Sequence, residues 1–123
     1  MDYKDLLAYK KSYLLAMQIF EVSKAFMREE RHFLTDQIRR SSRSVTVTIT
    51  EAYRKRIYSK NFLSKLTDAE TENSEAKVWL DFSLSCGYLD ESNYKNLTDL
   101  NNEVGKLIYY MIINPVKFGS SKI

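Results

Sequence analysis

The sequence predicts an all-α fold, an antiparallel up-down-up-down four-helix bundle. Three observations carry that expectation. Apolar residues recur at spacings of three and four along four separate stretches, which places them on one face of a helix. Only three glycines and one proline occur in 123 residues, so there are few places to break a helix or turn a tight hairpin. One β-branched run looks like a strand, but no second strand accompanies it, and a lone strand leaves its backbone groups unpaired. The length fits one domain, whose core can remove roughly two thirds of the unfolded surface from water.

The first helix is expected over about 3–26, on Leu6, Tyr9, Tyr13, Ala16 and Phe20, with Met17 and Ile19 widening the stripe. Asp2 can cap its first turn, with Asp5 three residues on in a box-like position. Residues 27–30 form the link. The second helix takes Leu34, Ile38, Ser41, Val45, Ile49 and Ala52 on one face. Within it, the run VTVTIT at 45–50 also reads as a strand, with Val45, Val47 and Ile49 on one side. Length decides for the helix, because its stripe runs for about five turns. Each β-branched residue then costs a few tenths of a kcal/mol, roughly, relative to alanine.

The third helix is expected over about 59–86. Phe62, Leu66, Ala69, Asn73, Ala76, Leu80 and Ser83 make one line, with Leu63, Trp79 and Phe82 beside it. Gly87 is placed to end it in the left-handed conformation. Asp90 or Ser92 can cap the fourth helix, which carries Leu97, Leu100, Val104, Leu107, Ile108 and Met111. Pro115 ends it, since the residue before a proline avoids helical geometry. Residues 1–114 thus make the bundle and 115–123 a frayed, flexible tail. The nine tyrosines and six phenylalanines exceed what one bundle seam requires, and part of that surface suits a subunit interface.

Charge is unevenly spread. Residues 28–60 hold nine Lys/Arg against four Asp/Glu, whereas 68–91 hold seven acids against Lys77 alone. Such segments can pair within one bundle or present two opposite faces. The single cysteine, Cys86, excludes an internal disulfide and reads as a buried structural thiol. The N-terminus lacks an apolar stretch after a basic start, so no signal peptide is expected. No run approaches the ~18 apolar residues of a membrane span. A soluble cytoplasmic protein is the expectation.

Catalytic arrangements are absent from the sequence. His32 is the sole histidine, which excludes a two-histidine metal site within one chain, and nothing requires His32 and Cys86 to meet. No glycine-rich phosphate loop occurs, and no cofactor or metal is expected. Glu70 and Glu72 suit a solvated acidic face; Glu75, beside Ala76 and Asn73, is expected to border the core. An enzyme is therefore not expected.

The basic residues form two groups on the second helix. Arg39, Arg40 and Arg43 lie early; Arg54, Lys55, Arg56 and Lys60 lie at its end, flanked by Tyr53 and Tyr58. Arginine beside aromatic rings suits phosphate contact with base stacking. Arg43, Arg54, Lys55, Arg56 and Lys60 are the candidate nucleic-acid contacts, with Tyr53 and Tyr58 as stackers. A solvated helix with cations near its C-terminal dipole accounts for the same residues. Arg39 has a further option, an interior pair with Glu51 or Glu75.

The line LTDQIRRSSRSV followed by TVTITE, at 34–51, resembles the four-helix-bundle proteins encoded by 23S rRNA intervening sequences. Those in turn resemble the accessory variability proteins of diversity-generating retroelements. Gln37, Ile38, Arg39, Arg40, Ser44, Ile49 and Glu51 match the family pattern, as do Ala69, Glu75 and the turn Gly87–Tyr88–Leu89. Gln37, Arg39, Arg40, Glu51 and Glu75 are the signature positions. The chain departs from the pattern at Thr48, where asparagine is usual, at Thr50 and Ala52 around Glu51, and at Thr71–Glu72, where a Gly-Ser pair is usual. The resemblance implies a bundle, a ring-like homopentamer with a basic surface, and nucleic-acid partners, RNA and structured rRNA first. The alternative is a protein-binding scaffold or assembly module in which basic and acidic helices pair between subunits.

Overall fold

The computed structural model describes residues 1–121. Four α-helices account for most of the chain: α1 (Leu7–Ser23), α2 (Leu34–Arg54), α3 (Ser59–Ser85) and α4 (Glu91–Ile113). Short 3₁₀ turns occupy Tyr3–Asp5, Arg28–Glu30 and Pro115–Phe118. Among the described residues there is no strand. Each helix packs on its neighbours in sequence, and α1 against α4 closes the bundle. Contacts between neighbours run in opposite directions. Thr46 meets Ser12 while Arg39 meets Ser23, and Glu51 faces Lys65 while Thr48 meets Glu72. The helices are therefore antiparallel. Among the described residues no helix is long and apolar enough to cross a membrane.

The α2 and α3 lines are buried as the spacing predicts. Leu34, Ile38, Ser41, Val45, Ile49 and Ala52 all lie inside, as do Phe62, Leu66, Ala69, Asn73, Ala76, Leu80 and Ser83. The VTVTIT run is helical throughout. Burying Ile38 and Ile49 completely contributes about 1.5–3 kcal/mol each, which outweighs their propensity cost. Gly87 takes φ +77°, and Tyr88 N–H donates to Ser83 O while Gly87 N–H donates to Leu84 O. That pair of bonds closes α3 in a Schellman motif. Asp90 Oδ1 accepts from Asn93 N–H at 2.7 Å and caps α4.

Helix α1 differs from its expected phase. Its buried line is Ala8, Ser12, Leu15, Ala16, Ile19 and Ser23, with Leu6 just before it, while Tyr13 and Met17 face outward. The serines explain the shift. Ser12 and Ser23 are small and lie against α2, where Ser12 Oγ accepts from Thr46 Oγ1 and Ser23 Oγ accepts from Arg39 Nε. An apolar stripe read from large residues alone misses such positions. The helix also starts later than expected. Asp2 and Asp5 do form a capping box, but around the separate turn Tyr3–Asp5, which ends at the extended Leu6.

Two further expectations change. Cys86 is exposed, because it is the capping residue of α3 and falls off the Ala76–Leu80–Ser83 line. Glu75 is exposed as well, and Glu72 takes the half-buried place beside α2. Within the tail, Pro115–Phe118 makes a 3₁₀ turn that Gly119 closes at φ +89°. Gly119 lies against Arg56, whose Nε would be 3.1 Å from an added Cβ. Residues 122 and 123 of the expected tail lie outside the described residues.

Candidate nucleic-acid interface

The α2 arginines occupy one face because they alternate with the buried line. Arg39 and Arg43 are one turn apart and Arg40 lies beside them. A shallow groove of about 580 Å³ runs along this face, lined by Arg31, His32, Asp36, Arg39, Arg40 and Arg43 among others. Asp36 is its sole acid.

Arg39 does not pair with Glu51 or Glu75. Its Nε donates to Ser23 Oγ at 2.8 Å, and its guanidinium lies 4.8 Å from the Phe20 ring centroid. Arg43 and Lys24 lie over the same ring, at 5.5 and 4.9 Å. Glu51 instead faces Lys65 at 3.8 Å. Phe20 thus gathers three cations by the attraction of its π-face. Gln37 is half-buried on α2, and Arg40 is exposed.

The second basic group divides. Arg54 is exposed and lies 5.4 Å from the Tyr3 ring centroid. Arg56 is half-buried, with its guanidinium 4.1 Å from the Tyr53 ring and Nη1 donating to Tyr53 O at 2.9 Å. Lys55, Tyr58 and Lys60 are exposed. Tyr53 is not an open ring: it is 6% exposed, and its hydroxyl donates to Met1 O. Its burial follows from adjacency to Ala52 on the α2 line. Tyr58, at 61% exposure, is the open ring of the two.

A general pattern emerges among the described residues. Every ion pair uses a lysine, and no arginine pairs with a carboxylate. Arg39, Arg43, Arg54 and Arg56 rest on aromatic rings instead. A guanidinium held near an aromatic ring rather than by a carboxylate keeps N–H donors for other acceptors, such as phosphate, although Arg39 and Arg56 each give one, to Ser23 and Tyr53 respectively.

Sequence reasoning missed a third feature. Tyr3, Tyr9 and Tyr13 form a ladder along the α1–α2 seam, with centroids 5.4 and 6.0 Å apart. They line a groove of about 500 Å³ with Met17, Arg43 and Val47. The signal was present in the spacing of Tyr9 and Tyr13, but it read as core. No group of three or more His, Cys, Asp and Glu side chains that could hold a metal ion occurs among the described residues.

Comparison with known proteins places this architecture. A crystal structure of a protein of unknown function from the S23 ribosomal protein family of Bacteroides thetaiotaomicron is similar to it. The two align with a TM-score of 0.77 and 27% identity, over 86% of this chain and 98% of that one. No curated protein matches the chain. The family model for the 23S rRNA-intervening sequence protein matches residues 4–110, which include all four helices up to Tyr110 and the whole arginine face. The chain therefore belongs to the 23S rRNA-intervening sequence protein family.

Proposed function

We propose that this protein is a non-enzymatic RNA-binding bundle whose α2 arginine face contacts phosphates. The observation that carries the reading is the groove of Arg31, Arg39, Arg40 and Arg43 opposed by Asp36 alone, its arginines paired with no carboxylate among the described residues. Family membership favours RNA, and rRNA in particular, as the polyanion, and a cytoplasmic location goes with it. Arg43 and Arg54 are the central contacts, with Lys55 and Lys60 extending the face and Arg56 held closer to the bundle. Binding through phosphates releases counterions and is steeply salt-dependent. The test is fluorescence anisotropy of labelled structured RNA with nuclease-treated protein at roughly 50 and 200 mM salt. Micromolar or tighter binding that weakens by orders of magnitude at the higher salt is the expected result. No binding at either salt overturns the reading.

A second reading has its own observation. Asp68 and Glu75 on α3 are exposed and in no ion pair among the described residues, and Phe33, Phe82 and Tyr109 are more than half exposed. Acids and rings of this kind suit a homo-oligomer in which the α3 face of one copy meets the arginine face of the next. The ring-like pentamer implied by the family resemblance is one such assembly. Light scattering across a salt series tests it: an oligomer that dissociates as salt rises, without affinity for RNA, favours the scaffold.

A further inference from the structure

The tyrosine ladder is the feature that phosphate binding leaves unexplained. Tyr3 and Tyr9 are half-buried with one side against the core, but Tyr13 continues their row out of it: it is 53% exposed, and Met17 and Val47 beside it are exposed too. None of the three phenolic hydroxyls has a hydrogen-bond partner within the chain among the described residues. The groove is open, apolar on its walls and cationic at both ends. Arg54 lies over Tyr3 at one end, and Arg43 lines the other. It also adjoins the arginine groove, since Arg43 and Val47 line both.

We propose that this groove takes the unpaired bases of a single-stranded RNA segment while the adjoining arginines hold its phosphates. The inference rests on the RNA-binding reading and specifies the strand state that the surface selects. Aromatic faces accept any base by stacking, and flanking arginines track the backbone. Arg43 and Arg54 are eleven residues apart on α2, about 16 Å along the helix. That length accommodates about four or five nucleotides at the ~3.4 Å rise of a stacked strand. A duplex keeps its bases inside and can offer only phosphates and groove edges, so it engages the arginine groove but not the ladder. Glu51 is the one acid in the tyrosine groove, and Lys65 offsets it at 3.8 Å.

The experiment compares a labelled ten-nucleotide single-stranded RNA with a duplex of the same length, using the full chain at one low salt concentration. Tyr13→Ala is the primary variant, because that ring is more than half exposed and its loss does not threaten the core. Tyr13→Phe retains the ring. The expected result is tighter binding of the single strand, a loss of at least about fivefold in Tyr13→Ala for that probe alone, and recovery in Tyr13→Phe. An equal effect of Tyr13→Ala on both probes, or none on either, overturns the base-stacking groove and leaves phosphate binding standing. No binding of either probe by the wild-type protein overturns both readings. Circular dichroism melting of each variant separates lost contact from lost fold.

Discussion

Thr48 Oγ1 donates a 2.7 Å hydrogen bond to Glu72 Oε1, joining α2 to α3. By the resemblance read from the sequence, asparagine is expected at the α2 position and a small residue at the α3 position. The bond links the two positions in this chain. A longer acid on α3 meets a shorter hydroxyl on α2, and the half-buried carboxylate gains a partner. Hydrogen bonds to a charged group contribute about 1.5–3 kcal/mol. Thr48→Val removes the donor at nearly constant shape and should destabilise by about 1–2 kcal/mol, the shielding by solvent at Glu72 reducing the full value. A double-mutant cycle with Glu72→Ala should show a coupling of at least about 0.5 kcal/mol in urea unfolding. Strict additivity would mean that the bond contributes nothing.

The α3–α4 seam holds a reciprocal amide pair. Asn73 Nδ2 donates to Asn101 O, and Asn101 Nδ2 donates to both Asn73 O and Asn73 Oδ1, each at 3.0 Å. Both residues are buried. A shift of register would leave these amides unpaired in an apolar seam, so the pair helps fix how α4 lies on α3. Asn101→Ala should cost about 1–3 kcal/mol, because Asn73 Oδ1 loses its donor while staying buried. Asn73→Leu with Asn101→Leu should recover part of that loss. Chemical denaturation of the single and double variants checks both statements.

Nearer solvent on the same seam, Lys77 Nζ donates to Asp81 Oδ1 at 2.6 Å and to the Tyr94 oxygen at 3.0 Å, and Tyr94 O–H donates to Asp81. The hydrogen bond from Lys77, then that from Tyr94, holds the Asp81 carboxyl below its ordinary 3.8. The same bonds, from Asp81 first, hold Lys77 above 10.5. A lowered acid contributes stability that is present above its ordinary value and lost as pH falls through the folded value. A raised lysine contributes stability that is present below 10.5 and lost as pH rises through its folded value. The groups are substantially exposed, so the effect is under about 1 kcal/mol. Asp81→Asn should lower stability at neutral pH by that small amount, change little at a pH low enough to protonate Asp81, and so flatten the part of the melting-temperature profile below pH 3.8. An unaltered acid limb would assign that pH dependence to other carboxylates.

The legible parts of this fold are those where large apolar residues mark the buried face. The α2 and α3 lines were readable residue by residue, including Asn73 and Ser83, because strong neighbours fix the phase. On α1, Ser12 and Ser23 carry the seam, and small polar residues look the same in sequence whether buried or solvated. Asn101 was unreadable for a related reason: its burial depends on Asn73 across the seam. The arginine groove was legible as a cluster, but its partners were not. Charge alone suggests Glu51 or Glu75 for Arg39, whereas Phe20 and Ser23 occupy that place through the antiparallel alignment of α1 with α2. The tyrosine ladder was hidden because aromatic periodicity on a helix ordinarily means core.

The two basic groups of α2 should separate in their salt dependence. Arg40 and Arg43 lie in the open groove, whereas Arg56 is engaged by Tyr53 and Gly119. Each phosphate contact contributes about 0.7 to the logarithmic salt slope for a single strand and about 0.9 for a duplex. Arg40→Ala with Arg43→Ala should therefore reduce the slope for single-stranded RNA by about 1.4, two contacts' worth. Arg54→Ala with Lys55→Ala and Arg56→Ala should reduce it by a similar amount, because only Arg54 and Lys55 of that trio are exposed. Arg56→Ala should act mainly on stability, since it opens the face of Tyr53 and frees the turn at Gly119. Anisotropy titrations over a salt series, with melting curves on the same samples, distinguish the two effects. A slope change for Arg56→Ala alone as large as that for Arg43→Ala would place Arg56 on the RNA and require the Gly119 turn to move aside.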